Sequence, residues 1–251
     1  MDITELYSPQ IRVELGQYVF DSGVEIEVVS SQNSYFDWGR ITFTKQFQDV
    51  LSLAAKETAA VKIGYDGILN DIFTGYISAP YNLGDTANTV LLKDSMILLD
   101  TVTINNTFLS TTPQELLTYI LRQAGISSFS LSKQGYPERR LVPIRQMSGL
   151  NAIKIIHAMW GISVPFFFSG DTFHWGTQPE QKKVYVFEYG VNILQLNRTN
   201  GRWELQTASV PFVRHSHKIS VVHPRLSGTF EVSKIMFTTN DAGFLRTTIF
   251  F

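Results

Sequence analysis

The sequence of 251 residues contains no cysteine, which removes disulfides, thiolate nucleophiles, cysteine-type zinc sites and iron–sulfur clusters from consideration. Charge is also scarce: 17% of the residues are Asp, Glu, Lys or Arg, and they balance to a net −1. Without a net positive field or a basic run, the chain cannot draw in nucleic acid by neutralising phosphates. No run of about 18 uncharged apolar residues exists to span a bilayer. The start, Met1-Asp2-Ile3-Thr4-Glu5, lacks the basic and apolar regions of a secretory signal. Motifs of several enzyme classes are missing as well. There is no Gly-x-Ser-x-Gly elbow, no His-Glu-x-x-His helix, and no Gly-x-Gly-x-x-Gly or Gly-x-x-x-x-Gly-Lys phosphate cradle. The expectation is a protein that is not an enzyme, needs no cofactor and does not insert into a membrane.

What the chain has in quantity is apolar surface, with 44% hydrophobic and 13% aromatic residues. So little charge is left to keep a surface solvated that partners are expected to cover part of it. Phe166-Phe167-Phe168 and Phe250-Phe251 place bulky rings on both faces of expected strands. A two-layer core and a subunit interface both account for them.

Strand-like alternation dominates from Gln10 to Ile77: Ile11, Val13 and Leu15, then Val24, Ile26 and Val28, then the runs 61–65 and 71–77 around an Asp66-Gly67 turn signal. One short helix is expected over 47–55, where Phe47, Val50, Leu51 and Ala54 share a helical face. Thr112-Pro113-Gln114-Glu115 is a capping box with proline at the first helical position, and Gly125 closes that helix. A second helix runs from Ser148 to Gly161, and both end in Gly-Ile-Ser before an apolar, strand-like segment. Further strands are expected over 164–168, 172–175, 183–189, 203–213, 218–222, 228–238 and 245–251. The organisation is a β-rich part, a small mixed part with two helices, and a second β-rich part.

Three of the five histidines lie in the segment 213–224. On a strand, His215 and His217 would share a face, the geometry of a metal pair. No carboxylate lies in that segment, so a polar strand face or subunit contact is the preferred reading. His157 sits on an apolar helical face and reads as a hydrogen-bonded core or boundary residue. His174 lies between Phe173 and Trp175 on an expected strand. Asp94 and Asp100 bracket 95–99 as a carboxylate pair of the kind glycoside hydrolysis needs, two acids flanking one bond, but such pairs arise by chance in a chain of this size and that is the preferred reading.

The order of segments resembles the phage tail hub proteins, the late-control-D or baseplate hub family. The resemblance rests on Tyr65-Asp66-Gly67 followed by Phe73-x-Gly75-x-Ile77, then Lys93 to Leu99, the Thr112–Ile126 helix, and Ser148 to Gly176. Tyr189-Gly190-Val191-Asn192 and Gly228 to Val232 complete it, and it covers Gln10 to the end. It implies a mainly β fold with minor α: two tail-tube-like antiparallel β-barrel domains at 1–105 and 177–251, bridged by a small α/β portion at 106–176. It further implies a homotrimeric, pseudo-sixfold ring in a phage tail or phage-like contractile particle, made in the host bacterial cytoplasm. Its partners would be further copies of itself, the tail tube protein, the central spike protein and the tape-measure protein, with DNA only passing through the channel. Secretion-system spike relatives continue into a C-terminal needle that this sequence lacks, which implies a separate spike chain. The alternatives are a tail-associated peptidoglycan hydrolase and a carbohydrate-binding tail-tip module.

Overall fold

A computed structural model describes residues 7–44, 47, 51–82, 88–239 and 244–251. The first strands are β1 (Pro9–Leu15), β2 (Tyr18–Phe20), β3 (Val24–Ser31), β4 (Trp38–Phe43), β5 (Thr58–Tyr65), β6 (Ile68–Ile77) and β7 (Thr89–Lys93). Then come α1 (Met96–Thr101), β8 (Thr103–Thr111), α2 (Pro113–Gln123), β9 (Phe129–Leu131), β10 (Arg139–Ser148), α3 (Gly149–Trp160), β11 (Phe166–Ser169) and β12 (Thr172–Trp175). The last stretch holds β13 (Tyr185–Glu188), β14 (Gln195–Thr199), β15 (Arg202–Ala208), β16 (Lys218–His223), β17 (Leu226–Glu231), β18 (Lys234–Thr239) and β19 (Leu245–Phe250). The fold is mainly β with few helices.

Two compact units result, Met1–Asp94 with Pro179–Phe251, and Ser95–Gln178. The second unit includes the residues 106–176 and extends beyond them at both ends. The two flanking β segments are joined in one unit, because Lys234–Thr238 of β18 pairs antiparallel with 27–31 of β3. That pairing produces an 11-stranded sheet in the order β14-β15-β19-β18-β3-β4-β7-β6-β5-β1-β2. Burial explains the union: Val13, Ile26, Ile41 and Val61 from the first segment share one apolar cluster with Phe187, Leu205, Ile235 and Ile249 from the last. At about 1.5–3 kcal/mol for each such side chain withdrawn from water, neither segment could leave its half exposed. A second sheet in this unit runs β13-β16-β17, with β13 parallel to β16.

Turn chemistry fixes several registers. Asp66 and Gly67 take φ of 52° and 82°, the doubly left-handed turn that matches strand twist, and they join β5 to β6. Residues 48–50 of the helix expected over 47–55 lie outside the described residues, while Leu53 is extended and bridges Tyr81.

In the middle unit α2 starts as expected: the Thr112 side chain accepts from Glu115 N–H, and the Glu115 carboxylate accepts from Thr112 N–H at 2.8 Å. Both longer helices end on left-handed glycines, Gly125 and Gly161. In each case an isoleucine N–H then bonds back across the last turn, Ile126 to Leu121 at 2.9 Å and Ile162 to His157 at 2.8 Å. The chain next enters β9 after α2 and β11 after α3, and both belong to the sheet β11-β12-β9. A two-stranded ribbon, β8 with β10, completes the unit.

Candidate functional site

Strand β16 begins only at Lys218, so His215 and His217 lie in the turn before it and not on a strand face. Ser216 N–H donates to Val232 O at 2.7 Å, Val232 N–H donates to His217 O at 2.8 Å, and Ser216 takes φ of 65°. A left-handed residue between the histidines breaks the alternation that would align their rings. His217 Nδ1 accepts from Arg214 N–H at 3.3 Å, and burial, then the Arg214 charge, push its pKa down. His215 is buried, with Nδ1 3.0 Å from Ser216 Oγ and Nε2 3.8 Å from Asp37 Oδ2. Among the described residues, no group of three or more His, Asp or Glu is placed to hold a metal ion.

Asp37, which periodicity and motif do not mark, is the centre of this region. Its carboxylate accepts from Ser30 Oγ at 2.5 Å and Ser31 N–H at 2.9 Å, and its N–H donates to Asp94 Oδ2 at 3.1 Å. Asp94 N–H returns a bond to Asp37 O at 3.0 Å. Burial raises the Asp37 pKa to about 7, outweighing the lowering by Ser30, Ser31 and Arg214. The cluster ties β3, the end of β7 and the 213–217 turn together. Asp94 is therefore buried and bonded to backbone, whereas Asp100 is exposed on α1 in the other unit. A buried carboxylate so committed is poorly placed for glycoside chemistry, which requires both acids to face one substrate.

In the middle unit, Trp175 Nε1 donates to His157 Nε2 at 2.7 Å, and His157 packs edge-on to Phe166 with centroids 5.3 Å apart. Burial lowers the His157 pKa, which suits a neutral ring accepting from indole. His174 stacks on Phe167 at 5.5 Å and meets Thr177 Oγ1 at 3.1 Å. Phe166, Phe167 and Phe168 are all buried, so these rings serve the interior.

The surface keeps apolar side chains that the fold does not cover. Leu109 and Leu141 are direct cross-strand partners in the β8–β10 ribbon, 71% and 57% exposed. Val19 projects from β2, the strand at one end of the 11-stranded sheet, and is 50% exposed. Leu194, 55% exposed, immediately precedes β14 at the other end, with Tyr189 and Val191 exposed nearby in sequence. Terminal strands present unpaired backbone groups to which another chain can pair, and these apolar side chains lie beside them.

No protein-family model and no curated protein matches the sequence. Solved structures do match. The fold is that of a set of phage tail proteins and a related secretion component. A 43 kDa tail protein of prophage MuSo2 from Shewanella oneidensis superimposes with a TM-score of 0.72 at 12% identity, over 97% of each chain. A tail protein from Neisseria meningitidis MC58 gives 0.68 at 11% identity, over 97% of this chain and 96% of that one. The E. coli c3393 protein gives 0.68 at 14% identity, over 95% of this chain and 75% of that one. It is a component of the type VI secretion system with structural similarity to the T4 bacteriophage tail proteins gp27 and gp5.

Proposed function

We propose that the chain is a structural subunit of the baseplate of a phage tail or phage-like contractile injection particle. It acts as a hub, a homotrimeric pseudo-sixfold ring that joins the hexameric tail tube to the central spike. The observation that carries this is the shared fold over nearly the whole length of two phage tail proteins, at TM-scores of 0.72 and 0.68. Exposed apolar side chains near both ends of the 11-stranded sheet support assembly, since a ring needs two different joining surfaces on each subunit. The tail tube protein, spike protein and tape-measure protein are its neighbours in this reading, DNA only passes through, and no catalysis is assigned.

Mass measurement in solution tests the proposal. A species of three 28.4 kDa chains is expected, alone or on adding the tube or spike protein, which can supply the binding energy that closes the ring. A chain that stays monomeric with both neighbours present overturns the ring. Clearing of cell-wall substrate by the purified chain would favour the hydrolase alternative, and glycan binding by a monomer the carbohydrate-binding one.

A further inference from the structure

Charge is segregated along this nearly neutral chain. Residues 1–94 carry 13 acidic and 6 basic side chains, net −7, while residues 179–251 carry 5 acidic and 9 basic, net +4. Both segments belong to one compact unit, and the 11-stranded sheet ends in β2 on the first segment and β14 on the last. The two ends of one sheet therefore belong to segments of opposite sign.

Local geometry sharpens this contrast. Beside β14, Arg198 and Arg225 place their guanidinium carbons 5.5 and 5.7 Å from the centroid of the Trp203 ring, and Arg202 is exposed at the β14–β15 turn. Arg225 also donates to Leu196 O at 3.2 Å, which occupies a carbonyl of the terminal strand. A partner at this end would therefore meet side chains and not add a strand along the full edge. At the β2 end, residues 9–21 and 56–77 hold five acidic side chains against Arg12, Lys56 and Lys62. Arg12 pairs with Glu14 at 3.2 Å, and Lys62 with Glu14 at 3.1 Å and Asp71 at 3.8 Å, which leaves Asp21, Glu57 and Asp66 as the acidic excess over Lys56. Asp21, directly after β2, is exposed, and Glu57 is half-buried.

We infer that the Arg198–Trp203–Arg225 cluster beside β14 receives the acidic β2 end of a second copy of this chain, so that copies join head to tail through opposite charge. The inference rests on the ring reading and names the surfaces that would close the ring. A contact between two different patches is heterologous, and it closes when the rotation per copy divides a full turn. Exposed Val19 and Leu194 add apolar area at the two ends, and the charges set orientation and exclude the tail-to-tail alternative.

The test reverses the charges on the full chain. R198E/R202E and D21K/E57K are each expected to weaken self-association on the order of tenfold, and the chain carrying all four substitutions to recover it. Parent association should also weaken as salt is raised. Circular dichroism and melting check that each variant is folded; if R198E/R202E is not, R198Q/R202Q replaces it and should lower both the affinity and its salt dependence. Doubles that associate as the parent does, or a quadruple variant no better than the doubles, overturn this contact and leave the ring standing on other surfaces. A parent chain monomeric at every concentration, with tube and spike proteins present, overturns the contact and the ring together.

Discussion

At the scale of single residues, close backbone approach and burial decide what cannot change. Gly75 is the glycine of the Phe73-x-Gly75-x-Ile77 pattern, and a Cβ there would lie 2.2 Å from Lys93 O. The residue is glycine because β6 passes directly against the chain leaving β7. Replacing it with alanine forces two backbones apart and should destabilise by about 2–3 kcal/mol, read as a lower urea midpoint. Asp37 provides a second expectation. Its pKa near 7 in the folded protein, against an ordinary 3.8, means that between these pH values the folded chain holds a proton that the unfolded chain has released. This contribution to stability is complete below about pH 3.8 and is lost as pH rises through about 7. His157, His174 and His217 have depressed values, so their contribution is complete above about pH 6.5 and is lost as pH falls. D37N should therefore gain stability relative to the parent on going from pH 4 to pH 8 while keeping the loss on the acid side. Unfolding free energies at a series of pH values check this, and parallel curves for variant and parent would refute it. Asp37 was invisible in the sequence because its importance comes from partners brought by β3, β7 and the 213–217 turn. His157 was legible, since a lone histidine on an apolar helix face must find a partner.

At the scale of elements, the sequence is most transparent where local chemistry fixes the backbone. The capping box at Thr112 and Glu115, and the left-handed glycines after both longer helices, stand where the residue types place them. T112A removes the side-chain acceptor for Glu115 N–H and should cost about 1 kcal/mol, measured by thermal or urea unfolding. Strands that alternate cleanly, such as β1 and β3, were equally plain. β8 and β10 were not, because the ribbon is mostly exposed and carries Asn105-Asn106 in one strand and Pro143 with three arginines in the other. A strand without a continuously buried face loses the period that marks it. The hairpin of β14 and β15 had a signal in Asn200-Gly201, whose φ values of 51° and 81° make the tight turn between them, but its polar strand concealed it. The stretch 228–238 reads as one strand and is two: Val232 N–H still bonds His217 O in line with the β16–β17 ladder, whereas Ser233 N–H donates to Phe250 O, so the chain changes sheets at that point.

At the scale of the molecule, chain order and spatial order part company. Reading along the sequence separates an early β part from a late one, because 84 residues lie between Asp94 and Pro179 and local patterns carry no information across that gap. The structure closes it through β3 and β18 and through one shared apolar cluster. This makes the middle unit an insertion into the other, with a distinct expectation for fragments. Residues 1–94 alone keep β4 on one side of β3 but lack β18 on the other, with Phe237 opposite Val28, and lack the late half of the shared apolar cluster, so they should stay largely unfolded or aggregate from an open strand. Supplying residues 179–251 in trans should restore a cooperative unfolding transition to the mixture. Residues 95–178 contain their own helices and sheets, and Gly149 packs tightly against Val102, Leu99 and Ile120 within them, so this fragment should fold alone. Dispersed amide resonances for 95–178, and their absence for 1–94 until 179–251 is added, is the expected result. A well-dispersed spectrum from 1–94 by itself would show that the early β part has a self-sufficient core and that its pairing with the late part is an addition to a finished domain.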